Sequence, residues 1–137
     1  VGRREVKAIV DTNVLIRAVV GDDEKQARAA AGLLKNAEII AVSLTSLCEF
    51  VWVLRRLYKF GPRDIAAAIE ALLNVANVVA DRPAAEAGLA MLKAGGDFAD
   101  GLIDYEGRWL GGKAFVSFDK RAVALVAEQG REAKLLA

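Results

Sequence analysis

The chain contains no histidine. Ser–His–Asp and Cys–His catalysis are therefore excluded, as are paired-histidine nuclease mechanisms, imidazole zinc sites and histidine phosphotransfer. The single cysteine, Cys48, leaves no intrachain disulfide and agrees with a reducing cytoplasm. No apolar run approaches the roughly 20 residues of a membrane span. The opening VGRREV lacks the apolar centre of a signal peptide. It also lacks an initiator Met, so a few native residues are expected to precede it. An excess of one charge is missing too, with 19 basic and 18 acidic residues and a net charge of +1. Nucleic-acid binding is thus not announced by the total, and local clustering decides it. Any catalysis must run on carboxylates, hydroxyls, amines or a metal held by oxygen.

What is present suits one domain over residues 1–137: 55% hydrophobic residues are enough for a core, and 27% charged is ordinary. The apolar pattern predicts strands at 6–10, 38–42, 75–79 and 113–118, with a possible edge strand at 133–136. Between them lie helices at 13–20, 24–35, from Thr45 or Ser46 to Phe60, 62–73, 83–93, 98–110 and 121–128. Gly61 is expected to stop the long third helix, and Pro62 to open the next. Strands alternating with helices indicate an α/β fold with a mainly parallel sheet. Such sheets bind ligands outside the carboxyl ends of their strands.

Acidic residues gather at those ends. Asp11 follows the first strand in KAIVDTNVLI, and Asp119 follows the fourth in VSFDK. A charge stranded beside buried strands costs several kcal/mol unless it is paired. Asp97, Asp100 and Asp104 form DFADGLID, with spacings that share one helix face, and Glu49 lies early in the long helix. All but Asp100 have a plainer explanation. Asp11, Asp97 and Asp119 are good helix N-caps. Glu49 follows Ser46 in capping-box spacing, and Asp104 reads as a solvated helix charge. Taken together, four like charges in one cleft would repel and raise one another's pKa values. A hard divalent cation such as Mg²⁺ removes that conflict and leaves room for water and a phosphate oxygen.

VDTNVLI, LCEFVWVL, DFADGLI and FVSFDK, in this order along nearly the whole chain, resemble the PIN-domain ribonucleases, and within them the VapC-type toxins of toxin–antitoxin pairs. The resemblance implies a parallel sheet of strand order 3-2-1-4-5 with helices on both faces. It implies that Asp11, Glu49, Asp100 and Asp119 are the catalytic acids. Asp11, Asp100 and Asp119 would hold Mg²⁺ or Mn²⁺, and Glu49 or Asp119 would orient or deprotonate water. Asp97 would assist, while Thr12, Asn13 and Ser117 would steady the acids. RNA as substrate, a homodimer and a cognate antitoxin follow from the same resemblance, and the single cysteine and the opening residues make the expected location cytoplasmic. One stretch departs from the family: GLIDYEG stands where relatives often have ALIAA. Gly101 and Gly107 are expected to weaken that helix, and Asp104 and Glu106 to add negative charge beside the site.

Arg17, Arg55, Arg56, Lys113, Lys120 and Arg121 lie near the expected rim, as phosphate contacts or as ordinary surface charge. On the long helix, Leu47, Phe50, Val51, Leu54, Leu57 and Tyr58 form one apolar face. Glu49, Trp52, Val53, Arg56, Lys59 and Phe60 lie largely opposite. Trp52, Val53 and Phe60 would be covered by the next helix, a second copy or an antitoxin. A receiver-like domain would need an acidic pair after the first strand, where this chain has DTN. A haloacid-dehalogenase-type phosphatase would need D-x-D, where Asn13 replaces the second Asp. A non-catalytic RNA- or protein-binding module with the same fold remains the alternative.

Overall fold

The computed structural model describes residues 6–137, so VGRRE of the opening stretch lies outside it. The chain divides into two compact units, one ending at Asp81 and the other spanning Arg82–Ala137.

In the first unit, β1 (Lys7–Ile9), α1 (Thr12–Val19), α2 (Glu24–Asn36), β2 (Ile39–Ala41), α3 (Leu44–Arg56), α4 (Pro62–Leu73) and β3 (Val78–Val79) follow one another. The strands pair in parallel, β1 with β2 (Lys7 opposite Ile39) and β2 with β3 (Ile40 opposite Val78). They are shorter than the sequence predicts because the paired core shrinks at its ends. Val6 O still accepts from Glu38 N at 2.8 Å, and Val42 N still donates to Val79 O at 3.0 Å. Residues 75–77 turn rather than extend, with Val78 N bonded to Val75 O at 3.0 Å. There the Asn77 amide donates to Leu34 O at 2.8 Å and Ala37 O at 2.7 Å, satisfying carbonyls at the end of α2. Leu15, Ile16, Ile40, Leu47, Phe50, Leu54, Ile65 and Ile69 form the buried interior.

Helix α3 differs from expectation at both ends. Ser43, not Thr45 or Ser46, caps it, its hydroxyl accepting from Ser46 N at 3.1 Å. The helix stops at Arg56 instead of reaching Phe60. Lys59 adopts φ 60°, and Phe60 N returns to Leu54 O at 2.9 Å. A left-handed residue ends the helix before Gly61 is reached. Leu57, expected on the apolar face, is exposed as a result.

The second unit holds α5 (Arg82–Lys93), α6 (Phe98–Trp109), β4 (Phe115–Ser117), α7 (Lys120–Glu128) and β5 (Ala133–Leu135). Strands β4 and β5 pair in parallel, so the edge strand does form. Met91, Phe115, Ala122, Leu125 and Val126 pack as one buried cluster. Helices α5 and α6 lie unusually close at Gly88 and Gly101. A Cβ on Gly88 would come within 2.6 Å of the Phe98 ring, and one on Gly101 would collide with the Ala87 carbonyl. Gly101 therefore permits this packing; it does not loosen α6, which runs unbroken through GLIDYEG.

Asp104 also departs from expectation. It is buried, with its side chain only 3% exposed, and is held by two arginines. Arg108 Nε donates to Oδ1 at 3.0 Å, and Arg131 Nε to Oδ2 at 2.6 Å. Arg108 further donates to the carbonyls of Lys113 at 2.7 Å and Glu132 at 2.9 Å. Asp104 is thus the neutralised centre of a knot joining α6, the loop before β4 and the entry to β5. Its charge is paired and is not added to an open site.

The fold is α/β, with seven helices and parallel strand pairing among the described residues. The pairs run 3-2-1 in one sheet and 4-5 in the other; the full order 3-2-1-4-5 is not formed as one ladder among the described residues.

Candidate active site

Strand ends place the acids of the first unit. β1 finishes at Ile9, and two residues later Asp11 caps α1, its Oδ1 accepting from Val14 N at 3.2 Å. β2 finishes at Ala41, Ser43 starts α3, and Glu49 follows in the second turn. Because Ser43 takes the capping role, no Ser46–Glu49 capping box forms. Glu49 Oε1 instead accepts the Thr12 hydroxyl at 2.7 Å, linking α1 to α3. Asp11, Thr12, Asn13 and Glu49 then line an open cavity of about 450 Å³ with Trp52 and Val53. Trp52, expected to be covered by the next helix or a partner, is 56% exposed in this cavity. The Arg56 guanidinium sits 5.8 Å from its ring centroid, in cation–π range.

In the second unit, Asp119 follows β4 by two residues and caps α7. Its Oδ1 accepts from Arg121 N at 2.9 Å and Ala122 N at 3.2 Å. Ser117 Oγ accepts from Asp119 N at 3.0 Å and fixes the backbone there. Asp97 caps α6 through Ala99 N at 3.2 Å. Asp100, in the first turn of α6, is half-buried. Burial first, then the negative charges of Asp97 and Asp119, raise its pKa above the ordinary carboxylate value. No cation of the described residues is among the groups acting on it.

The capping interpretation is therefore correct for Asp11, Asp97 and Asp119, yet each cap uses Oδ1 alone. Oxygen-only donors with spare lone pairs, and an Asp100 strained by negative neighbours, suit a hard divalent cation. Among the described residues, no group of three or more acidic or thiol side chains is arranged as a metal site by itself.

The proposed rim cations have varied surroundings. Arg17 is tied to Asp22 at 2.8 Å, and the Tyr58 hydroxyl donates to the same carboxylate at 2.9 Å. The Tyr58 hydrogen bond, then Arg17, holds the Asp22 pKa low, while Asp22 raises that of Arg17. Arg121 donates to Gly95 O at 3.2 Å. Arg55, Lys113 and Lys120 are exposed. Sequence reasoning missed the Asp22–Tyr58–Arg17 node and the Asp104 knot. The i,i+4 spacing of Asp104 and Arg108 was a visible signal; Arg131 and Tyr58 lie too far along the chain to be linked by spacing.

In comparison with known families, the model described as PIN domain matches residues 8–128, across both units. No curated protein matches the sequence. PIN domains are generally nucleases that use divalent metal ions and bind RNA. No helix among the described residues is long and apolar enough to cross a membrane.

Proposed function

Because the chain belongs to the PIN domain family, we propose that it is a metal-dependent ribonuclease whose catalytic acids are Asp11, Glu49, Asp100 and Asp119. The observation that carries this reading is Asp100: a half-buried carboxylate beside two further acids, with no cation acting on it among the described residues. Perturbed carboxylates of this kind cluster at functional sites, and a bound cation is one way to relieve the repulsion.

Asp11, Asp100 and Asp119 are the residues that would hold Mg²⁺ or Mn²⁺. When bound, the ion supplies Lewis-acid polarisation of the scissile phosphate and a lowered pKa for water. The chain's own groups do the rest. Thr12 occupies Oε1 of Glu49 at 2.7 Å, which orients the carboxylate and leaves Oε2 to take a proton from water. Ser117 steadies the Asp119 backbone, Asn13 lines the cavity mouth, and Asp97 keeps Asp100 in a negative surround.

The toxin reading, with a cognate antitoxin and a homodimer, rests on the four sequence motifs, and a cytoplasmic location on the single cysteine and the opening residues; all are part of the proposal. The test is cleavage of a labelled single-stranded RNA in Mg²⁺ or Mn²⁺. Cutting is expected to stop with EDTA. It is also expected to fall at least a hundredfold, on the order of the loss of one electrostatic catalytic group, in Asp11→Asn and Asp100→Asn proteins of unchanged circular dichroism. Folded wild-type protein that binds RNA without cutting it would instead establish the non-catalytic module.

A further inference from the structure

We propose that Trp52 is a stacking platform for one unpaired base of the RNA substrate, held beside Asp11 and Glu49. The inference deepens the nuclease reading and rests on it. It names how the substrate is gripped within the first unit.

Trp52 lies three residues after Glu49 and four before Arg56, so all three share a stripe of α3. The tryptophan is 56% exposed and forms part of the cavity that Asp11, Thr12, Asn13 and Glu49 also line. Tryptophan is highly buried on average; here its ring stays open at the edge of the acids. Arg56 lies over one face of the ring, with its guanidinium carbon 5.8 Å from the centroid, so the base would take the opposite face. An aromatic face with a neighbouring arginine is what single-stranded nucleic acid needs. The base stacks on the ring, and the cation meets the backbone phosphate.

Trp52 shares its cavity with Asp11, Thr12, Asn13, Glu49 and Val53, so a base stacked there would lie beside two of the proposed catalytic acids. A cavity of about 450 Å³ also falls in the range of small-ligand pockets, large enough for a base and part of its ribose. Stacking tolerates any base, so Trp52 would position single-stranded RNA without fixing its sequence.

Trp109 is the other tryptophan, so Trp109→Phe leaves Trp52 as the sole indole reporter. This protein is titrated, in EDTA to prevent cutting, with a single-stranded RNA hexamer and with an abasic hexamer of the same backbone. Saturable quenching by the RNA hexamer and none by the abasic one is expected. Trp52→Ala should bind the RNA hexamer roughly tenfold more weakly, within the range for loss of one stacked base. It should raise KM with little change in kcat, and Trp52→Phe should restore most of the binding. RNA that binds without quenching, or binds Trp52→Ala as tightly as wild type, would overturn the inference and leave the nuclease reading intact. So would a Trp52→Ala protein altered only in its oligomeric mass, which would mark a protein contact. Base-dependent quenching by RNA that the protein never cuts would support the platform while defeating the nuclease reading.

Discussion

Asp11, Asp97 and Asp119 each use one carboxylate oxygen to cap a helix. Asparagine caps about as well as aspartate, so Asp→Asn at these positions removes charge while sparing the helix. Asp104 is the opposite case, an acid whose whole value is structural. Both of its oxygens are taken by arginines, and its side chain is 3% exposed. Asp104→Ala would leave Arg108 and Arg131 without their shared counter-charge. Removing one partner from a fully buried ion pair costs about 3–5 kcal/mol; Arg108 and Arg131 keep 27% and 33% of their side chains in solvent, so urea denaturation should show a smaller loss, about 2 kcal/mol. Asp100 gives a pH signature. Its pKa is raised, chiefly by burial, so the folded protein holds this proton more tightly than the unfolded chain does. As pH rises above the ordinary carboxylate range, that advantage is lost and ionised Asp100 weighs against the fold. In metal-free protein, Asp100→Asn should therefore melt higher than wild type at pH 7, with the gap closing in acid. An equal gap at both pH values would contradict the assigned cause.

Among the elements, α6 shows most clearly what patterning reveals and what it hides. Its boundaries were legible: Asp97 ahead of Phe98 and Gly111-Gly112 beyond it bracket the helix found. The roles of its glycines were not. Both look like helix weakeners in sequence, but Gly101 faces the Ala87 carbonyl, whereas Gly107 has nothing near the position of a Cβ. Gly101→Ala should destabilise by about 1–3 kcal/mol through overpacking. Gly107→Ala should stabilise by roughly 0.5–1 kcal/mol through propensity. Thermal melts of the two variants should move in opposite directions. Helix α3 teaches the same lesson at its ends. The sequence points to Thr45 or Ser46 as the cap, whereas Ser43 takes that role by accepting from Ser46 N. The early stop at Arg56 depends on Lys59 adopting a left-handed conformation that residue type alone does not signal. Alternation of strands and helices, the strand-end acids and the parallel pairing could be read locally. The Asp104 knot could not, because Arg131 lies 27 residues from Asp104.

At the scale of the whole molecule, the PIN domain match spans both units, and the proposed acids come from both. Asp11 and Glu49 belong to the first, Asp100 and Asp119 to the second. The most direct measurement is Mn²⁺ binding followed by the electron paramagnetic resonance of free ion. It should be made on wild type, on Asp11→Asn, on Asp100→Asn and on the double variant. The account predicts that wild type depletes free Mn²⁺ and that each single variant binds at least tenfold more weakly. The double variant should lose little more than either single one, as expected when two ligands share one ion. Wild-type protein that leaves Mn²⁺ free, or single variants that bind it undiminished, would contradict it.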